Sequence, residues 1–321
     1  MGMPPYINQD AFTESGVEIG QKPWVLPGTF TRPLTSEPCP CVILVHGSGP
    51  QDRNETIGPN QPFRDLAWGL ASHQIAVLRY EKRTRIYPDA LKNLSSFTIK
   101  DETTDDAVSA IEFVENLDTV DSGKIFALGH SLGGFALPRI VQMYPQAAAL
   151  AGVILLAANA RPLDEVMASQ IAYLETLEEA TDDIREVLQS MAAQIELIRS
   201  LKQDPHADVT PFDVPASYWV DLQDYRPPRV LCDMAMSALI LQGESDYQVR
   251  MDEDFHLWQK QSRNCPQWTC LSYPGLHHLF MPSPKKMATP RDYAQADHVD
   301  PRVVADIVSW INHSTRRATK H

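Results

Sequence analysis

The stretch KIFALGHSLGGFALPRIV, residues 124–141, decides the fold, because it joins two different hydrophobic patterns through a serine that lies between glycines. The apolar run at 124–130 predicts a buried strand, and the spacing over 132–144 predicts a helix. At their junction, residues 129–133 read Gly-His-Ser-Leu-Gly and fit the pattern G-x-S-x-G. Small residues there let a strand turn sharply into a helix with its serine exposed. We therefore predict that Ser131 is a nucleophile rather than a structural serine.

Short apolar runs alternate with helical patterns on both sides of this stretch. The predicted strands are 28–33 (as an edge strand), 41–46, 75–80, 124–130, 151–158, 237–246 and 268–275. The predicted helices include 63–73, 101–117, 132–144, 252–261 and 301–313. Such alternation is typical of parallel strands joined by helical crossovers. We expect a doubly wound, mostly parallel α/β sheet with helices on both faces.

Residues 160–230 interrupt the alternation. They carry no strand signal, and they contain two amphipathic helical patterns followed by a proline-rich stretch. The segment leaves and re-enters the sheet at strand carboxyl ends, where open α/β sheets hold their sites. We expect a helical cap at 160–230 over a core made of 1–159 and 231–321. The alternative is a second domain with no part in catalysis.

Composition restricts the partners. The chain has 321 residues, of which 43% are hydrophobic, with a formal net charge of −13 and no basic run. Anionic phosphate backbones and lipid surfaces would be repelled, so we expect no nucleic-acid or membrane partner. No apolar run reaches 18 residues, so no membrane span is expected.

Five irregularly spaced cysteines do not suggest a disulfide framework, and we expect free thiols. The first 12 residues lack the basic and apolar regions of a signal peptide. A cytoplasmic location is therefore expected.

A nucleophilic serine requires a base that is oriented by an acid, and in this type of fold the chain order is serine, acid, histidine. The run LILQGESDYQV, 239–249, offers Asp246 after the turn, with Glu244 as the fallback. The run YPGLHHLF, 273–280, offers His277 and His278 as the base. Periodicity does not separate these two histidines.

An oxyanion hole needs two backbone N–H groups. We expect one from Leu132 and the other from Ser48, in the loop HGSGP at 46–50. The rival interpretation of this loop is a phosphate cradle, but neither GK[ST] nor G-x-G-x-x-G is present.

Four motifs in this order, HGSG, GHSLGG, QGESD and GLHHLF, resemble the α/β-hydrolase superfamily. Residues 45–84 and 298–311 further resemble a group of bacterial serine esterases with a helical cap, the EstD-type carboxylesterases. The resemblance implies Ser131 as nucleophile, Asp246 as acid and His278 as base. Relatives usually carry Asn where this chain has His277.

The resemblance implies a serine carboxylesterase that hydrolyses small-molecule esters through an acyl-enzyme. The expected cap favours short to medium acyl chains, since no long apolar tunnel is visible in the sequence. The resemblance also implies no metal or organic cofactor, and a monomer or homodimer. Two alternatives stay open. One is an amide or peptide hydrolase that uses the same triad, and the other is a non-catalytic, ligand-binding member of the fold.

Further candidates surround the expected site. We assign the substrate pocket to Tyr218, Trp219, Tyr247 and Arg53, with packing inside the cap as the alternative for the cap aromatics, Tyr225 included. Charged residues near the sheet edge are expected to form a buried ion-pair network that shapes the site; they are Arg53, Glu81, Lys82 and Arg83. Alternatively, Arg83 steers an acidic substrate.

Overall fold

A computed structural model describes residues 3–92, 94 and 96–318. Eight strands form one sheet in the order β1-β2-β4-β3-β5-β6-β7-β8. Their bounds are β1 Phe12–Ile19, β2 Leu26–Pro33, β3 Cys39–Val45, β4 Ala76–Tyr80, β5 Val120–His130, β6 Gly152–Leu156, β7 Ala238–Gly243 and β8 Trp268–Tyr273. Strands β3 to β8 pair in parallel, and β1 and β2 form an antiparallel hairpin beside β4.

The sheet confirms the expected α/β class and corrects one edge. Residues 28–33 lie within β2, which pairs with both β1 and β4 and is therefore an interior strand. The true edge is β1, which no apolar pattern announces. Only Ile19 of its eight residues is buried, so the strand has no hydrophobic face to signal it.

Helices cover both faces of the sheet. The helices are α1 Pro62–Ala71, α2 Arg83–Ile86, α3 Pro88–Lys92, α4 Asp105–Glu115, α5 Leu132–Met143, α6 Pro145–Ala148, α7 Leu163–Glu175, α8 Asp182–Ser200, α9 Ala216–Leu222, α10 Pro227–Asp233, α11 His256–Ser262 and α12 Pro301–Ala318. One apolar layer joins the sheet to α1 and α12, and the other joins it to α4, α5, α10 and α11. Alternate residues of each strand enter opposite layers, as Val42 and Ile43 do in β3.

The parallel strands bring four distant sequence segments to one edge. Strands β3, β5, β7 and β8 run in the same direction, so their carboxyl ends lie on the same side of the sheet. The loop at 46–50, the serine at 131, the acid candidates at 244–246 and the histidines at 277–278 each follow one of these ends. The topology thus assembles the expected site.

Helices α7 to α10 occupy the chain between β6 and β7, where the cap is expected. Helices α7 and α8 form a small apolar cluster of their own around Ile171, Leu188 and Ile195. Polar contacts tie this segment to the core. Arg139 of α5 donates to the Asp221 carboxylate over 2.7 Å.

The cysteines depart from expectation. Cys232 and Cys265 form a disulfide between the end of α10 and the segment after α11, whereas Cys39, Cys41 and Cys270 are free. The expectation of five free thiols is wrong for that pair. The partners lie 33 residues apart, and only the packing of α10 beside α11 brings them together. Among the residues that the structure describes, no helix combines the length and apolar character needed to cross a membrane.

Candidate active site

Ser131 occupies a strained turn between β5 and α5. Its backbone angles, φ of 52° and ψ of −117°, lie in a region that residues other than glycine rarely adopt. Its N–H donates to the Leu156 carbonyl over 2.9 Å, which ties the turn to neighbouring β6. The glycines are sterically required. A Cβ on Gly133 would lie 2.2 Å from the Val45 carbonyl oxygen, and one on Gly129 would lie 2.4 Å from the Gly133 carbonyl carbon.

The glycine loop after β3 lies directly against this serine. A Cβ on Gly47 would come within 3.4 Å of the Ser131 Cβ, so the Gly47 backbone lies beside the serine side chain. Ser48 follows with an exposed side chain, and Leu132 is the first residue of α5. In the described part of the chain, neither the Ser48 nor the Leu132 amide donates to a protein acceptor. Two N–H groups thus remain free beside Ser131, and the start of α5 adds the positive end of its dipole.

The Asp246 carboxylate is fully buried beyond the end of β7 and is held by three donors. Oδ1 accepts from the backbone N–H groups of Gln248 and Val249, over 2.8 and 3.1 Å. Oδ2 accepts from Gln242 Nε2 over 2.9 Å. The fallback candidate differs, because the Glu244 side chain accepts from the Ser272 hydroxyl over 2.7 Å rather than contacting a histidine in the described residues. The arrangement leaves Oδ2 aimed at a histidine.

That histidine is His278. Its Nδ1 lies 2.7 Å from Asp246 Oδ2, and both side chains are buried. The imidazole also packs against His130, with ring centroids 4.6 Å apart, and His130 is the residue before Ser131. The contact with Asp246 therefore holds the His278 ring beside the turn between β5 and α5 that carries Ser131.

The adjacent His277 has a different environment. Its Nδ1 accepts the N–H of Leu279 over 3.1 Å, and its ring packs edge-on against Tyr293. Burial lowers the pKa of His277 to about 4. The neutral ring thus serves as a turn acceptor, a role that an Asn side chain also fills. The structure separates two histidines that periodicity left equivalent.

One buried pair next to the site was missed from the sequence. Glu55 Oε1 accepts the Gly47 N–H over 2.6 Å, and its Oε2 lies 2.9 Å from His130 Nδ1, off the line of an ideal hydrogen bond. The other ring nitrogen of His130 lies 3.0 Å from the His278 carbonyl oxygen. The only sequence signal for Glu55 is its place in the run QDRNE, 51–55, directly after the glycine loop.

Glu55 and His130 stabilise each other's charged form. Burial is the largest influence on His130 and disfavours its imidazolium, but the Glu55 carboxylate, the His278 carbonyl and Asp246 together raise the pKa of His130 above its ordinary value. Burial also works against the Glu55 carboxylate, yet His130 and the Gly47 N–H lower the pKa of Glu55. Each charge therefore favours the opposite charge on its partner.

The expected charged network divides into separate pairs. Arg53 pairs with Glu81 over 2.6 Å and donates to the Gly28 carbonyl, which ties it to β2. Arg83 makes a buried ion pair with Asp106 of α4 and lies over the Trp24 ring.

Of the four charged residues expected to form the network, Lys82 is the one that bonds the glycine loop. Its Nζ lies 2.8 Å from the Gly47 carbonyl oxygen and 2.6 Å from Glu102 Oε1.

The aromatic pocket candidates are mostly engaged in packing. The Tyr218 hydroxyl donates to Glu102 Oε2 over 2.5 Å, and Trp219 donates to the Pro211 carbonyl inside the cap. Tyr225 packs on Phe135 of α5.

Tyr247 follows the acid directly and stacks between two other tyrosines. It thus lies nearer to the triad candidates in sequence than the cap aromatics do. Its assignment to the substrate pocket, like that of Tyr218, Trp219 and Arg53, stays a prediction.

The chain resembles known proteins over most of its length. The model of the alpha/beta hydrolase family matches residues 42–289. The chain belongs to the α/β-hydrolase family. It is 34% identical over 313 residues to Esterase EstD from Thermotoga maritima, covering 96% of this chain and 70% of that protein.

Solved structures of other α/β hydrolases share the fold. Est1E from Butyrivibrio proteoclasticus matches with a TM-score of 0.60 at 16% identity, covering 94% of this chain and 99% of that chain. A thermophilic esterase from Thermogutta terrifontis matches with a TM-score of 0.51 at 19% identity over the same shares. At such identities the likeness bears on the fold alone.

Proposed function

We propose that Ser131, His278 and Asp246 are the catalytic triad through which this carboxylic ester hydrolase cleaves small-molecule esters. The observation that carries the assignment is the buried 2.7 Å contact between His278 Nδ1 and Asp246 Oδ2, at the sheet edge where Ser131 occupies its strained turn. The relationship to Esterase EstD supports the ester hydrolase class. Acids at this position orient the base and stabilise its protonated form.

In the acylation step, His278 Nε2 takes the proton from Ser131 Oγ while Oγ attacks the ester carbonyl carbon. The carbonyl oxygen becomes an oxyanion, which accepts hydrogen bonds from the Leu132 and Ser48 amides. The tetrahedral intermediate collapses by breaking the bond to the alcohol oxygen. The His278 imidazolium gives its proton to that oxygen, so the alcohol leaves neutral and Ser131 carries the acyl group.

Deacylation repeats the cycle with water. His278 removes a proton from water as the oxygen attacks the acyl carbon, and the same two amides hold the second oxyanion. Collapse releases the carboxylic acid, and the proton returns through His278 to Ser131 Oγ. Atoms and charges balance without an added cofactor.

We further propose that residues 160–230 form the cap of the site, with 1–159 and 231–321 as the core. The separate apolar cluster of α7 and α8 and the polar contacts to the core support this division. A cap over the strand ends limits the room for the acyl chain. Short to medium acyl chains are therefore the proposed substrates, with Tyr218, Trp219, Tyr247 and Arg53 as candidate pocket residues.

The test is hydrolysis of p-nitrophenyl esters from acetate to octanoate by the wild type and three alanine variants. Ser131→Ala and His278→Ala should each lose on the order of 10³-fold or more in kcat. His277→Ala should stay active, because its ring is neutral and bonds only a turn amide. Loss in His277→Ala with an active His278→Ala would reverse the assignment of the base.

A matched p-nitroanilide and p-nitrophenyl ester separate ester from amide cleavage. The ester should react at least about 10²-fold faster, because the amide nitrogen is a poorer leaving group and needs fuller protonation. Faster anilide cleavage would favour the amide hydrolase. A wild type inert to every ester would contradict the proposal.

A further inference from the structure

The peptide that links Gly47 to Ser48 is bonded from the side opposite its N–H. Lys82 Nζ donates to the Gly47 carbonyl oxygen over 2.8 Å, and the Lys82 side chain is 2% exposed. A peptide unit is planar and trans, so its carbonyl and N–H point in opposite directions. Fixing the Gly47 carbonyl therefore fixes the direction of the Ser48 N–H, the second proposed oxyanion donor.

The same contact also changes the strength of that donor. A charge-assisted hydrogen bond to a carbonyl polarises the peptide, and bonds in such a chain reinforce one another at low dielectric. The ammonium group of Lys82 thus makes the Ser48 N–H a better donor to a developing oxyanion. Few other contacts constrain Ser48, whose own carbonyl accepts only from Gln51 Nε2 in the described structure.

A buried chain of contacts connects Lys82 to the cap. Lys82 Nζ pairs with Glu102 Oε1 over 2.6 Å, and Glu102 Oε2 accepts from the Tyr218 hydroxyl over 2.5 Å. Tyr218 lies on α9, inside the proposed cap, and is buried. A shift of α9 would therefore move the Glu102 carboxylate, which holds Lys82 against the glycine loop.

We propose that Lys82 is a positioning residue for the oxyanion hole, and that Glu102 and Tyr218 couple the hole to the cap. The inference rests on the proposed function, because it assigns Ser48 to that hole. In the described residues, Lys82 Nζ bonds the Gly47 carbonyl oxygen and Glu102 rather than Ser131. It acts by orienting and polarising one peptide, so its effect should fall on the transition state and spare substrate binding.

Arg83 offers a matched control. It follows Lys82 directly, is equally buried, and pairs with Asp106 just as Lys82 pairs with Glu102. Among the described residues, the Arg83 side chain bonds Asp106 and lies over Trp24, and neither contact reaches the glycine loop. Removing either cation breaks one buried ion pair, but only removal of Lys82 releases Gly47.

The experiment compares Lys82→Met with Arg83→Met on p-nitrophenyl acetate and with a trifluoromethyl ketone inhibitor, whose serine adduct places an oxyanion in the hole. Lys82→Met should lose about 10- to 100-fold in kcat with KM within about threefold of wild type. Inhibitor affinity should fall by a similar factor, as expected for a transition-state analogue. Arg83→Met should keep kcat within about twofold and lose only thermal stability.

Tyr218→Phe and Glu102→Gln keep the test decisive if Lys82→Met does not fold. Tyr218→Phe removes one hydroxyl and should lower kcat and inhibitor affinity together by about three- to tenfold. Wild-type values in folded Lys82→Met, or in Tyr218→Phe where the lysine variant fails to fold, would overturn the proposal. Equal kcat losses in Lys82→Met and Arg83→Met would also overturn it.

A failure of the proposed function would look different. In that case the wild-type protein itself would neither hydrolyse the ester nor bind the ketone. Every variant would then be as inactive as the wild type.

Discussion

The carboxyl edge of the sheet and the cap fix their residues in different ways. At the edge, the backbone decides position, because Gly129 and Gly133 leave no space for a side chain and Ser131 is held in a rare conformation. In the cap, α8 exposes Ile184 and Val187, whereas Tyr218, Trp219 and Tyr225 pack into an apolar layer of the core. The edge is therefore intolerant of change, whereas the cap is adaptable apart from the residues that touch the core.

The contrast explains how one fold serves many substrates. Chemistry needs atoms held to within a fraction of an ångström, which parallel strands and their end loops supply. Substrate choice needs variation, which a helical insertion allows without disturbing the sheet. Tyr218 is an exception in the cap, because its hydroxyl reaches the buried Glu102.

The largest expected effect concerns the acid. Asp246→Asn should lower kcat by about 10³- to 10⁴-fold, because an amide cannot stabilise the protonated base or fix its tautomer. Glu244→Gln is the matched control two residues away, and it should stay within about threefold of wild type. Steady-state hydrolysis of p-nitrophenyl acetate measures both. Loss in Glu244→Gln with an active Asp246→Asn would move the acid to the fallback position.

A backbone substitution tests the intolerance of the edge. Gly133→Ala places a Cβ 2.2 Å from the Val45 carbonyl oxygen, and we expect about 3–5 kcal/mol lower free energy of unfolding or no folded protein. Gly16→Ala, in edge strand β1, meets no atom within 4 Å and should change stability by about 0.5 kcal/mol or less. Urea denaturation measures both. Similar free energies of unfolding for the two variants would show that the turn at Ser131 tolerates a side chain as well as strand β1 does.

The site candidates at the carboxyl ends of the strands could be named from the sequence, because each of their motifs is local. Ser131 was recognisable from the residues on either side of it, and Asp246 from the strand before it. The parallel topology that joins these segments follows from the alternation of strands and helices. The choice of His278 over His277 needed the family resemblance, since both histidines share one loop.

Other features depend on contacts across the fold. Glu55 is buried against Gly47 and His130, yet in sequence it is one acid in a polar run. Lys82 and Glu102 meet only after β4 and α4 pack, and Tyr218 joins them from another segment. Strand β1 has too few buried residues to produce an apolar pattern in the sequence. Pairing partners of this kind are set by tertiary packing, which periodicity does not encode.

A smaller, pH-dependent effect is expected for the pair beside the site. Folding raises the pKa of His130 above 6.5 and lowers that of Glu55 below 4.5, so the pair stabilises most between about pH 4.5 and 6.5. Stability fades as pH rises through the folded pKa of His130, and as it falls through that of Glu55. His46, His278 and Asp246 also face these two groups.

Glu55→Gln, compared with wild type by urea denaturation across pH, tests this pair. We expect a loss of about 1–3 kcal/mol near pH 5.5, because the amide keeps a hydrogen bond but not the charge. The loss should be smaller at a pH above the folded pKa of His130, because its ring is then neutral and the carboxylate has no charged partner to lose. A pH-independent difference would show that the pair is not ionic.

The smallest effect is expected on the exposed cap face. Val187 is 59% exposed on α8, so Val187→Glu should leave kcat within about twofold and stability within about 0.5 kcal/mol. Leu188→Glu, one residue along and buried in the cap cluster, should lose several kcal/mol. Light scattering on the wild type and Val187→Glu also separates a monomer from a homodimer paired through this face, the two states that we predict. A tenfold loss of kcat in Val187→Glu would give α8 a part in catalysis.

Covalent labelling of Ser131 tests the central claim most directly. The wild-type protein is treated with a serine-directed fluorophosphonate at neutral pH, and the modified peptide is mapped by mass spectrometry. We predict a single adduct on Ser131, formed fast in the wild type and in His277→Ala and at least about 10²-fold slower in His278→Ala. An unlabelled protein, or an adduct on another serine, would contradict the assignment of the site.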